Sequence, residues 1–306
     1  DGGALPGAAL SRLPKYIGLG RARQMLLLGT ALSIDDAAAA GLIDLVDEAP
    51  EAAWPPILDQ LLNMPPLQLG SRTLVMGIVN VTPDSFSDGG LCLDPDRAVD
   101  HAQEMEASGA DLLDIGGEST RPGAAALSVE QELARVVPVL DRLAGRVRLP
   151  VSIDTYKADV ARIALDHGAV IVNDVSGLLY EPALAAVVAD AGAALILMHN
   201  RGRSRDMYRE ASYGDVGVEV AGELGDRIGV ATRAGVARSH IIIDPGLGFA
   251  KRAEHTYTAL AALGRLRPLD RPVLVGPSRK SFLSAEGDGG PDDREWGTAA
   301  AVTAAV

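Results

Sequence analysis

The sequence predicts an α/β protein built as a TIM (β/α)8 barrel, and three observations carry that prediction. After Gly70, short apolar runs rich in Val, Ile and Leu alternate with stretches whose apolar residues recur every three or four positions. Such alternation means parallel strands joined by crossover helices. Most of the strand-like runs end in a polar residue, and a closed ring would gather those ends above one mouth. A doubly wound open sheet satisfies the alternation equally; the polar strand ends favour the barrel. The length of 306 residues suits one barrel of about 250 residues with an appendage.

Residues 1–48 read as helix, turn, helix. Leu19 to Leu28 mixes apolar and basic residues, and Ser33 caps an alanine helix that Gly41 stops. This piece carries no cluster of acids, bases or metal ligands. Residues 49–68 read as a linker, because Pro55-Pro56 and Pro65-Pro66 bracket one short helical stretch from Ile57 to Asn63. The barrel is expected over residues 69–306.

Within it, strands are expected at 74–81, 111–115, 150–153, 169–173, 194–198, 241–244 and 272–275. Residues 74–81 are apolar on both sides of the chain except at Asn80, as suits a parallel strand covered on both faces. Helices are expected over Asp96 to Ser108, Val129 to Leu143, Ala158 to His167, Pro182 to Ala191 and Val216 to Ala234. Arg294 to Val306 reads as the seventh crossover, and the chain stops where an eighth strand should begin.

The net charge of −13 argues against nucleic-acid and anionic-membrane partners. Cys92 is the single cysteine, which excludes an intramolecular disulfide and suits a reducing, cytoplasmic setting. No apolar stretch approaches the ~20 residues of a membrane span.

The chemistry-bearing residues stand at the strand ends. Asn80 opens the loop N-V-T-P-D-S-F-S-D-G-G, either capping its turn or pointing into a site. Gly116-Gly117 precedes Glu118, Ser119, Thr120 and Arg121; glycines permit close backbone approach and Arg121 supplies a planar cation for phosphate or carboxylate. Asp154 and Asn173 end neighbouring strands and can read a heterocycle edge, the carboxylate accepting and the amide serving either sense. Asp174 reads as a cap of the next helix. His199, after Met198, reads as a hydrogen-bonded structural residue, since no second His or Cys stands near it at ligand spacing. Asp244 closes the run I-I-I-D, followed by P-G-L-G-F-A-K. In G-P-S-R-K-S-F, Ser278, Arg279 and Lys280 at an expected helix start join oriented N–H groups to two cations, an anion-binding geometry, whereas the helix dipole alone would disfavour basic residues there.

These motifs, in this order from about Leu69 to Val306, resemble the dihydropteroate synthases, which join a pterin to p-aminobenzoate in folate synthesis. The resemblance implies a pterin-binding barrel that condenses 6-hydroxymethyl-dihydropterin diphosphate with p-aminobenzoate. It assigns the pterin to Asp154, Asn173, Met198, Asp244 and Lys280, and p-aminobenzoate or diphosphate to Thr120, Arg121, Pro122, Phe249, Ser278 and Arg279. Lys280, Arg121 and Asp154 are its catalytic residues. Asn80 would touch a diphosphate-bound Mg2+, with Asp88 assisting. Leu247 and Ala250 depart from the commoner Phe and Gly of the family, which affects loop shape more than hydrogen bonding. The family's eighth strand carries an Arg and a His that hold diphosphate, and nothing after Trp296 matches it, so the barrel is expected to lack that strand. Separately, P-G-A-A-L-S-R-L-P-K-Y-I-G and the residues to Val46 resemble a C-terminal piece of crotonase proteins, with no active residue carried over. A homodimer is the expected assembly. Rival readings are the pterin-binding domain of a corrinoid methyltransferase, which shares the Asp and Asn contacts, and an inactive fragment.

Overall fold

Six parallel strands form one sheet in the order β1-β2-β3-β4-β5-β6. They are β1 (Met76–Asn80), β2 (Leu112–Gly116), β3 (Val151–Asp154), β4 (Ile171–Asp174), β5 (Ala194–Met198) and β6 (Ile241–Asp244). The computed structural model describes residues 69, 72–82, 94–120, 124–203, 208–209, 211–284 and 290–306. Asp88, Arg121, Pro122, the crotonase-like stretch and the linker to residue 68 lie outside these described residues.

Helices follow the strands: α1 (Pro95–Ala107), α2 (Val129–Leu143), α3 (Ala158–Asp166), α4 (Leu184–Ala191), α5 (Val216–Arg233), α6 (Ala253–Ala261) and α7 (Glu295–Ala305). Their starts are chemically marked. Asp94 accepts from Asp96 N ahead of Pro95, Ser128 and Gln131 form a reciprocal capping box, and Asp215 accepts from Val218 N. Gly192, with φ of 63°, ends α4 in the left-handed conformation.

The period of two along each strand sorts the side chains onto two faces. Val79, Leu113, Ile115, Ile153, Val172, Leu195, Leu197 and Ile243 are buried in the large cluster shared with the helices. Leu112, Ile171, Ile196 and Ile242 form a second cluster on the opposite face with Leu74, Met76 and Leu274. Asn80, Asp154, Asn173, Met198 and Asp244 belong to the same parity as that second set, which places every strand-end polar group expected to meet a ligand on the inner face.

The expected seventh strand is reduced to a bridge. Only Ile243 and Val273 pair, through Ile243 N donating to Pro272 O at 3.0 Å and Leu274 N donating to Ile243 O at 2.8 Å. Pro272 and Pro277 have no N–H to donate, and among the described residues no further strand pairs with the other edge of this segment. Among the described residues β1 pairs only with β2, and Val75, Ile78 and Val273 at the two sheet margins are exposed apolar residues. No described helix is long and apolar enough to cross a membrane.

Candidate active site

Register builds the first half of the site. Asn80, Gly116, Asp154 and Asn173 are successive partners across β1, β2, β3 and β4. A Cβ on Gly116 would stand 3.5 Å from Asp154 Oδ2 and 3.7 Å from Asn80 Oδ1, so both polar groups converge over the space that this glycine leaves open. One layer deeper, Asp114 is buried and its Oδ2 accepts from Asn173 Nδ2 at 2.8 Å. A carboxylate only accepts, so Asn173 spends its N–H donor downward and turns its carbonyl oxygen toward the mouth. The amide therefore serves as an acceptor.

Burial pushes Asp114 up to about 6. Asp154 is held well above the ordinary carboxylate range, first by burial and then by the like charges of Asp114, Glu132, Asp174 and Glu118. Its carboxyl group is thus easier to protonate than an exposed carboxylate. Asp174 faces the other way and caps the turn that follows β4, not the next helix, which begins at Leu184: its two oxygens accept from Ser176 N at 2.8 Å and Leu178 N at 2.6 Å.

The second half comes from the β6 loop and the segment after residue 275. Asp244 is in register with Met198 and accepts from Gly246 N at 2.7 Å. Gly246 adopts φ of 67°, and a Cβ there would come within 2.0 Å of His199 O; only glycine fits this close turn. Lys280 Nζ donates to Leu247 O at 2.6 Å and lies 4.5 Å from the centre of the Phe249 ring. Burial lowers the Lys280 pKa while Asp244 and Asp154 raise it. Burial raises Asp244 against the pull of Lys280. An acid and a base thus face one space from opposite loops, each tuned by the other.

Ser278 and Arg279 are exposed, and the expected helix start is not there. Ser281–Leu283 is a single three-residue 3-10 turn. Arg279 adopts φ of 53° and donates through Nη2 to Glu295 Oε1 at 3.2 Å, which ties this loop to α7. Thr120 is half-buried beside the glycine pair.

Two buried charge networks went unassigned in the sequence. Glu118 accepts from Leu127 N at 2.9 Å, from Tyr156 OH at 3.1 Å and from Lys157 Nζ at 2.5 Å, and Lys157 also donates to Glu132. Glu118 therefore ties both ends of its loop to the turn between β3 and α3. The other network surrounds His199, whose Nε2 lies 3.2 Å from Glu223 and whose Nδ1 lies 2.8 Å from Lys251 Nζ. Burial brings His199 down to about 4, so it is neutral, and a donor-only ammonium makes Nδ1 the acceptor. The ring proton then sits on Nε2 facing Glu223, which agrees with the structural reading of this histidine. The signal for the second network was charge in apolar company, Lys251 after G-F-A.

Residues 76–306 match the family model of pterin-binding enzymes. A dihydropteroate synthase of Synechocystis is 45% identical over 259 residues, covering 81% of this chain and 90% of its own. The chain belongs to the dihydropteroate synthase family. A solved Xanthomonas albilineans dihydropteroate synthase with 4-aminobenzoic acid superposes with a TM-score of 0.72 at 46% identity, covering 77% of this chain and 84% of its own. The same enzyme in complex with 7,8-dihydropteroate gives 0.69 at 43% identity, with 77% and 84% covered. The dihydropteroate synthase fold accounts for the parallel sheet, and family membership makes this chain a transferase of folate biosynthesis. The family match begins at residue 76, well after the crotonase-like stretch.

Proposed function

We propose that this chain condenses 6-hydroxymethyl-dihydropterin diphosphate with p-aminobenzoate through the strand-end residues of its inner face. The observation that supports the reading is that Asp154, Asn173 and Asp244 end their strands on one inner face, where Lys280 interacts electrostatically with both Asp244 and Asp154.

A pterin presents an amino group and ring N–H donors along one edge and a carbonyl along the other. Asp244 and the Asn173 oxygen are acceptors suited to the first edge, and Lys280 is a donor suited to the carbonyl and an adjacent ring nitrogen. Asp154 meets the remaining ring nitrogen. Met198 forms apolar wall. Holding the ring flat and electron-rich favours departure of diphosphate from the methylene carbon. The p-aminobenzoate nitrogen then attacks that carbon: the C–O bond to diphosphate breaks, a C–N bond forms, and one anilinium proton passes to solvent. Orientation and stabilisation of leaving charge do this work, and no strong base is required.

Thr120, Arg121 and Pro122 are placed in this reading beside diphosphate and p-aminobenzoate. Phe249 faces the aromatic ring, Ser278 approaches its carboxylate, and Arg279 braces the loop. The described residues contain no group of three His, Cys, Asp or Glu able to hold a metal. Asn80 contributes a single amide oxygen at the mouth. That donor set fits Mg2+ carried on a diphosphate, because Mg2+ is commonly bound by one or two protein oxygens plus phosphates and water. When bound it would neutralise leaving charge. We place this activity in the cytoplasm, as a homodimer, with residues 1–48 and the linker as an appendage to the barrel.

The test is turnover: dihydropteroate should form from pterin diphosphate, p-aminobenzoate and Mg2+, with p-aminobenzoate retained only when pterin diphosphate is present. Binding of a methylated folate without any such retention would favour the corrinoid methyltransferase reading instead.

A further inference from the structure

Lys251 is among the most buried side chains of the protein, at 1% exposure, and the condensation makes no use of it. Its Nζ donates to Gly246 O at 3.2 Å and to Phe249 O at 3.1 Å, and lies 2.8 Å from His199 Nδ1. An ammonium has three N–H donors, and three acceptors stand around it. Burial lowers its pKa to about 7 against the pull of Asp244.

Both carbonyls belong to the loop after β6, which enters the left-handed region three times, at Gly246, Gly248 and Ala250, with φ of 67°, 79° and 47°. A backbone so turned leaves carbonyls pointing inward, where they need a buried donor. The same loop supplies the two contacts that aim the pterin-reading groups. Gly246 N–H holds the Asp244 carboxylate, and Leu247 O holds Lys280 Nζ. Gly246 is therefore gripped by Lys251 through its carbonyl while it grips Asp244 through its amide. Behind Lys251, His199 continues to Glu223 and Arg201, and Tyr213 donates to Ala250 O at 3.0 Å.

We infer that Lys251 is a positioning residue for pterin recognition, fixing through the Gly246 and Phe249 carbonyls the loop that aims Asp244 and Lys280. This inference rests on the pterin reading proposed above. It separates Lys251 from Asn173, which Asp114 orients from another part of the sheet.

The experiment measures affinity for 6-hydroxymethylpterin by calorimetry on the full 306-residue chain, with K251M, K251Q, D244N, N173A and the double variants. K251M should weaken pterin binding tenfold or more, and K251Q, which keeps two donors, should recover most of it. K251M with D244N should lose much less than the product of the two single losses, whereas K251M with N173A should lose close to their product. If K251M does not fold, K251A crossed with D244N and with N173A carries the same comparison. A lysine that only stabilised the fold would lower the urea midpoint and multiply equally with both partners, which would overturn the inference. Should D244N bind pterin like the parent, the pterin reading itself fails. Should D244N weaken binding while the K251 cycles stay multiplicative, only the role of Lys251 fails.

Discussion

Asn173 Nδ2 donates to Asp114 Oδ2 at 2.8 Å, joining the end of β4 to the middle of β2 across the inner face. The contact settles which end of the amide faces the mouth. D114A should therefore let the Asn173 amide turn and should leave its N–H buried without a partner, at a cost to pterin affinity of about 1–3 kcal/mol. D114N keeps an acceptor oxygen at that position and should lose much less. Calorimetric titration with a pterin checks both; equal affinities for the parent and D114A would show that Asp114 does not orient the amide.

Lys157 sits between Glu118 and Glu132, and all three side chains are largely buried. Removing its charge with K157M leaves two carboxylates facing each other without a cation. The loss expected for breaking a buried pair is roughly 3–5 kcal/mol, read as a lower urea midpoint. A midpoint within error of the parent would mean that water or rearrangement compensates the carboxylates.

Most of the fold was legible because strand and helix periods differ so plainly in this chain. The six strands begin within two residues of their expected starts, and α2 occupies the residues its apolar periodicity implied. The strand at 272–275 shrank to one bridge because a ladder needs partners along its edges, which an apolar run does not reveal. The start of α4 differed too: Pro182 looked like a first helical residue, yet the α-helix begins at Leu184. In the site, Asp154, Asn173 and Asp244 were visible as polar ends of apolar runs. Glu118, Lys157 and Lys251 were not, since their partners lie 39, 25 and 52 positions away in the chain and only the sheet brings them together.

Acid should weaken the fold through His199. Its folded pKa of about 4 lies below the ordinary 6.5, so the folded state resists protonation. Stability from the neutral ring is present above pH 6.5 and is lost as pH falls toward 4, by about 3 kcal/mol at about 1.4 kcal/mol per pH unit. Glu223, held down to about 2 chiefly by His199, loses its contribution below pH 4.5. Asp114, raised by burial, acts in the opposite sense between its ordinary 3.8 and about 6. The His199 part is therefore read by difference: the parent minus H199Q, in urea midpoints at pH 7 and pH 4.5, should fall with acid. A difference that does not change with pH would contradict the assignment.

Residues 1–66 should be dispensable for pterin binding, since the family match begins at residue 76 and proline pairs separate the two parts in sequence. Their deletion should leave pterin affinity unchanged. Aggregation or loss of cooperative unfolding would show that the appendage covers barrel surface.

The central claim is that residues at separate strand ends hold one pterin, and Asp244 tests it most directly. Its carboxylate is buried, in register with Met198, oriented by Gly246 and opposed by Lys280. Calorimetry of 6-hydroxymethylpterin with the parent and with D244N should show a loss of about 1.5–3 kcal/mol, roughly tenfold to over a hundredfold in affinity. An unchanged dissociation constant in D244N would contradict the account.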